Sequence, residues 1–200
     1  MLVFWKEKLV LLSVPKTGTS ALEAALRDRA DAVFENPPEL KHVPMFRYNR
    51  FLKPLFGVLD AERRFETMAI IREPVSWLGS WYRYRSRAEL AGRPNSTAEM
   101  TFDRFVRAYM DDPRPPCANV GSPRKFVSNG QGKIAVKHLF QYEELGQAAA
   151  FLEDRLGVTV ELEARNVSPK RSLELDPETY AALRRTCADE FDLWQTARRT

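Results

Sequence analysis

Short apolar runs alternate with helical apolar periodicities along this chain. Val10, Leu11, Leu12 and Val14 form a continuous apolar run, the pattern of a strand buried on both faces, and the first core strand is expected to begin near residue 8. Met68 to Ile71 repeats the pattern; Asp31 to Glu35, ended by Asn36-Pro37-Pro38, and Lys133 to Leu139 read as further short strands. Between them lie amphipathic helices. One opens at Thr19-Ser20 and carries Leu22, Ala25 and Leu26; another opens at Pro74 and puts Val75, Leu78, Trp81 and Tyr82 on one face. Residues 46–59 repeat Tyr48, Phe51, Leu52, Leu55, Phe56 and Leu59 at helical spacing, with Arg47, Arg50 and Lys53 between them and Pro54 placed to bend the helix. This segment suits a lid, an acceptor surface or an interfacial helix, with covering the core as the default. Phe102 to Met110 is a further helix, followed by a proline-rich loop over residues 111–124. A helix carries Leu145, Ala149, Leu152 and Leu156 inward and is ended by Gly157, and Asp176-Pro177 begins one with Tyr180, Leu183, Cys187, Phe191 and Trp194 on one face.

The junction of the first strand and helix reads Ser13-Val14-Pro15-Lys16-Thr17-Gly18-Thr19-Ser20. Pro15 stops the ladder, Gly18 permits an unusual turn, and the first helical amides lack carbonyl partners and sit at the positive end of the dipole. Lys16 adds an ammonium, and Thr17, Thr19 and Ser20 add hydroxyls. The junction therefore suits a phosphorylated ligand, against the plainer reading of a strand-to-helix turn with capping hydroxyls. A Walker loop is not what it spells: that motif places lysine directly after its second glycine, whereas Lys16 precedes Gly18 and no glycine lies upstream.

Residues 67–87 supply a second element. Arg72 stands at the carboxyl end of the Met68–Ile71 strand, where open α/β sheets bind ligands, Pro74 suits a first helical turn, and Ser80 follows two turns into the helix. A guanidinium fork with a hydroxyl is a sound receiver for a terminal phosphate dianion. The plainer reading is an Arg72–Glu73 surface pair. Pro15-Lys16-Thr17-Gly18-Thr19 resembles the 5′-phosphosulfate loop of the sulfotransferases that use 3′-phosphoadenosine 5′-phosphosulfate (PAPS). Arg72, Pro74 and Ser80 match that family's 3′-phosphate motif, R-x-P-x-x-x-x-x-S, at every fixed position.

The resemblance implies a single domain over residues 1–200: an α/β, P-loop NTPase-like three-layer fold with a mainly parallel sheet of four or five strands flanked by helices. It implies sulfuryl transfer from PAPS to a hydroxyl or amine, a saccharide among the candidate acceptors, without a metal. Lys16 would bridge the 5′-phosphate and sulfate; Thr17, Gly18, Thr19 and Ser20 would supply loop donors; Arg72 and Ser80 would hold the 3′-phosphate. His42, in Leu-Lys-His-Val-Pro, resembles the family's K-T-H-L-P element and would be the base that activates the acceptor. His138 is placed at a strand's exit, as a core hydrogen-bonding residue. Tyr142-Glu143-Glu144-Leu145 is a weaker point of likeness. The chain departs from the cytosolic members in two places: Ala21 stands where they carry an adenine-stacking tryptophan, and their C-terminal R-K-G loop is missing. Pro169-Lys170-Arg171-Ser172 lies comparably, which makes Arg171 a candidate phosphate ligand. These departures resemble the bacterial and carbohydrate-type branches. Two other classes stay open, a P-loop small-molecule kinase using Mg-ATP and a PAPS-fold binding protein without turnover.

Composition is compatible with this picture. The chain has 200 residues, 44% of them hydrophobic, enough for a real core. A net charge of +4 would allow nucleic-acid binding, but Arg83, Arg85 and Arg87 spread around their helix instead of forming a stripe, and no nucleic-acid motif is present. A basic excess also suits a polyanionic ligand. No apolar run approaches the roughly eighteen residues needed to cross a bilayer, no signal peptide is legible, and Cys117 and Cys187 are too few for a disulfide framework. The expectation is a cytoplasmic enzyme whose acceptor and oligomeric state the sequence leaves open.

Overall fold

The computed structural model describes residues 1–59, 64–162 and 171–197. The chain divides into two compact units, Met1–Arg72, Ser122–Arg165, Thr196–Thr200 and Glu73–Gly121, Asn166–Gln195.

The first unit is an α/β unit built on a five-stranded mixed sheet of order β3-β1-β2-β4-β5, with β1 Leu2–Phe4, β2 Leu9–Leu12, β3 Ala32–Val33, β4 Glu66–Ile71 and β5 His138–Gln141. Its helices are α1 Thr19–Leu26, α2 Pro38–Lys41, α3 Met45–Arg47, α4 Lys53–Leu59, α7 Pro123–Val127 and α8 Leu145–Leu156. Leu2, Leu9, Leu11, Met68, Ile70 and Phe140 face Leu22 and Leu26 of α1 and Ala148, Leu152 and Leu156 of α8. The strand residues of opposite parity, Val3, Val10, Leu12, Ala69 and Ile71, are buried as well. A sheet covered on both faces explains the continuous apolar runs, each such side chain stabilising by about 1.5–3 kcal/mol.

The expectation of a mainly parallel sheet is corrected. β2–β4 and β4–β5 are parallel, but β1–β2 and β1–β3 are antiparallel. The cause is a connection too short for a crossover: β1 turns directly into β2 through Trp5–Lys8, where Lys8 takes a positive φ of 55° and its amide donates to the Trp5 carbonyl. The strand before residue 8 is therefore an addition to the sequence reading. The strand expected over Asp31 to Glu35 is the two-residue edge β3. The one expected over Lys133 to Leu139 begins only at His138, so His138 enters β5 instead of leaving it. There it binds the Glu66 carboxylate across 2.8 Å, joined by Arg155 at 3.3 Å and by the Lys137 ammonium. The Lys137 and His138 hydrogen bonds lead in holding the Glu66 carboxyl down at about 2.

Residues 46–59 are helical as expected, in a run that starts at Met45. The bend takes the form of a π turn at Tyr48–Leu52 between α3 and α4. Pro54 has no N–H for the carbonyl four residues back and its ring crowds it, so the wider turn just upstream relieves the clash.

The second unit contains α5 Pro74–Arg85, α6 Phe102–Met110, α9 Pro177–Thr186 and, up to Gln195, α10 Ala188–Thr196. Trp77, Leu78, Tyr82, Phe105, Leu183 and Phe191 are among its buried residues. The helix expected from Asp176 to Trp194 is broken at Cys187, and Tyr180 stays 44% exposed. Arg83 and Arg85 are spent locally, the first on the Arg171 carbonyl and the second on the carbonyls of Pro116, Cys117 and Asn119. No helix among the described residues is long and apolar enough to cross a membrane.

Candidate functional site

Three neighbouring parallel strands, β2, β4 and β5, end on the same edge of the sheet, and each hands over a candidate residue just past its last position. β2 runs into the 13–18 loop, β4 into Arg72, and β5 into Tyr142. Parallel strands lie about 4.8 Å apart, so register alone gathers residues distant in sequence. β2 is also where pairing changes from antiparallel on one side to parallel on the other.

The loop's backbone takes a left-handed conformation twice. Lys16 takes φ 68°, unusual for a residue with a side chain, and Gly18 takes φ 72°, ψ 4° as the N-cap of α1, with no side-chain cap bond. A left-handed residue followed by a helical one turns successive amides toward a common point, here those of Gly18, Thr19 and Ser20. The hydroxyls behave differently from the sequence expectation. Thr17 donates to the Val14 carbonyl at 2.8 Å and Thr19 approaches the same oxygen at 3.5 Å, both from buried positions. Pro15 ends the strand ladder, so the loop's own hydroxyls satisfy this buried carbonyl. Both hydroxyls are thus engaged within the loop itself.

Gly18 is also short of space. A Cβ built there would meet Tyr142 Cε2 at 2.7 Å and Cδ2 at 3.2 Å. The same ring carries the Arg72 guanidinium on its face, 4.3 Å from the centroid, and Arg72 makes a long 3.5 Å contact to the Lys16 carbonyl. Loop, aromatic ring and arginine are one packed group. Tyr142 is the residue whose part here the sequence left unassigned; its signal was the weak Tyr-Glu-x-Leu likeness after a strand.

His42 joins this group from the end of α2. Its Nδ1 lies 2.7 Å from the carbonyl of Ser13, the residue that opens the loop. A carbonyl only accepts, so Nδ1 carries the proton, and the neutral ring keeps Nε2 as an acceptor. Burial holds the imidazole pKa below its ordinary value. Behind the loop, the Ser13 hydroxyl donates to Glu23 of α1, which also takes the Lys41 ammonium at 2.6 Å and the Met1 ammonium at 2.8 Å. Burial alone pushes the Glu23 carboxyl up, but these hydrogen bonds together bring it below its ordinary value. Lys41 is therefore tied to the support of the loop, and Ser13 and Glu23 are positioning residues the sequence did not single out.

Ser80 and Arg171 belong to the second unit. Ser80 sits mid-way along α5, whose N-cap is Glu73, its carboxylate accepting from the Ser76 amide at 2.7 Å. Arg171 gives its guanidinium to the carbonyls of Thr97, Ala98 and Met100 and stacks 4.5 Å from the Tyr82 ring centroid. Pro169 and Lys170 lie outside the described residues. Comparison of the chain with protein-family models, with curated proteins and with solved structures gives no significant match.

Proposed function

We propose that the chain is a sulfotransferase that takes a sulfuryl group from PAPS, on a P-loop-like variant of the mixed α/β sheet. The observation that supports the reading is that the Lys16–Ser20 loop after β2 and Arg72 after β4 lie at the same carboxyl edge of the sheet, with His42 2.7 Å from the Ser13 carbonyl that opens the loop. The residues fit such a group: a left-handed glycine held bare by Tyr142, a guanidinium oriented by the same ring, and a histidine in the tautomer of a base.

PAPS supplies an activated sulfuryl group on its 5′-phosphate. The Gly18, Thr19 and Ser20 amides would bind that phosphate, with the α1 dipole behind them. Arg72 would take the 3′-phosphate with a charge-assisted fork; Ser80's share in that contact rests on the motif. His42 would accept the proton of an acceptor hydroxyl at Nε2 while the acceptor oxygen bonds to sulfur. Lys16 would stabilise the negative charge that grows on the 5′-phosphate oxygen as its bond to sulfur breaks, releasing 3′,5′-adenosine bisphosphate.

The test is turnover. Purified protein incubated with PAPS and pooled saccharide, alcohol and amine acceptors should release 3′,5′-adenosine bisphosphate only when an acceptor is present, and Lys16→Ala should abolish the release. Phosphate transfer from Mg-ATP to the same pool, with PAPS untouched, would move the chain to the kinase class.

A further inference from the structure

The helical run through α3, the π turn and α4 buries only one side. Met45, Tyr48 and Phe56 face inward, and Phe56 packs on Trp5 and Tyr48 at ring-centroid distances of 5.5 and 6.2 Å. The other side leaves Phe46, Phe51, Leu55, Val58 and Leu59 between 42% and 85% exposed. Five large apolar side chains on one short element exceed the scattered exposure normal for a monomer. Arg47, Arg50 and Lys53 are exposed on the same run, and residues 40–59 contain no acidic side chain at all. Arg47 and Arg50 lie 5.7 and 5.3 Å from the ring centroids of Phe46 and Phe51, so each cation rides beside an apolar group.

We propose that this face docks on an anionic lipid bilayer, with its apolar residues in the acyl boundary and its cations at the headgroups. Charge decides among occupants. A second copy of the chain meeting this face by two-fold symmetry would bring both sets of three cations together with no acid on the helix to offset them. An anionic headgroup layer complements all three at once, and exposed phenylalanines with basic neighbours are the composition of a helix lying in the interface plane. Docking of this kind needs neither nucleotide nor turnover, so it stands or falls apart from the proposed sulfuryl transfer.

Sedimentation with vesicles tests it, using phosphatidylcholine alone against equal parts phosphatidylcholine and phosphatidylglycerol. The protein should pellet with the anionic vesicles only, and raised salt should release it. The triple change Arg47→Gln, Arg50→Gln and Lys53→Gln should weaken binding about 100-fold, since each interfacial cation contributes about 1 kcal/mol. Phe51→Ser with Val58→Ser should also release the protein. All five positions are exposed, so unaltered melting curves are the expected check on folding. Wild-type protein that stays in the supernatant with anionic vesicles overturns the proposal whatever the variants do. Binding indifferent to both sets of substitutions overturns it too, and so does vesicle-free dimerisation that the Phe51/Val58 change abolishes.

Discussion

Gly18→Ala isolates the cradle from the rest of the fold. Gly18 sits at φ 72°, where an L side chain costs about 1–2 kcal/mol. The new methyl would also stand 2.7 Å from Tyr142 Cε2, a distance that forces the ring to move. Crowding of this kind costs about 1–3 kcal/mol, giving with the backbone cost a destabilisation of about 2–5 kcal/mol. For a chain of this length that is a fall in Tm of about 4–20 °C. The displaced ring is the one on which Arg72 rests, 4.3 Å from its centroid, so ligand binding should suffer beyond the loss of stability. Denaturant unfolding and calorimetric titration with 3′,5′-adenosine bisphosphate, below the Tm of the variant, separate the two effects. Gly146→Ala is the control. Gly146 lies within α8 with open space around its Cβ position, and alanine there should stabilise by about 0.5–1 kcal/mol and leave binding unchanged. A folded Gly18→Ala protein that binds the bisphosphate like the wild type would refute the cradle argument.

Three further outcomes are expected. His42→Ala should keep nucleotide affinity and lose about 10²–10⁴-fold in turnover; because burial depresses the His42 pKa, the acid limb of kcat/KM should have its midpoint below the ordinary 6.5, measured as a pH–rate profile. Tyr142→Ala should weaken bisphosphate binding by about 0.5–2 kcal/mol through loss of the ring under Arg72, while Tyr142→Phe should keep it, as calorimetry will read. The Glu66 carboxyl is held at about 2 against an ordinary 4.5, so its contribution to stability is fully present above 4.5 and fades as pH falls toward 2; Glu66→Gln should lower stability at neutral pH and flatten the acid unfolding curve over that interval.

The parts of this molecule written in local pattern were legible. Val10 to Val14 and Met68 to Ile71 announce strands buried on both faces, and the turns after them bring Lys16, Gly18 and Arg72 to the sheet edge because parallel strands must. What escaped was long-range pairing. Nothing local to Leu2–Phe4 says that it hairpins onto β2, because a fully buried three-residue strand has no alternation to read. Side-chain direction escaped as well. Thr17 donates to the Val14 carbonyl, Thr19 approaches it, and Arg171 gives its guanidinium to three carbonyls, contacts that no local pattern announces. Tyr142 lies 124 positions beyond Gly18, and only the adjacency of β2, β4 and β5 explains why its ring limits that glycine.

Calorimetric titration reads out the proposed recognition, at this edge of the sheet, of a nucleotide carrying both a 5′- and a 3′-phosphate. Wild-type protein should bind 3′,5′-adenosine bisphosphate far more tightly than AMP or Mg-ATP. Arg72→Ala should cost the bisphosphate about 2 kcal/mol or more and AMP almost nothing. Equal losses for bisphosphate and AMP would mean that Arg72 does not read the 3′-phosphate, and tighter binding of Mg-ATP by the wild type would remove PAPS as the ligand of this edge.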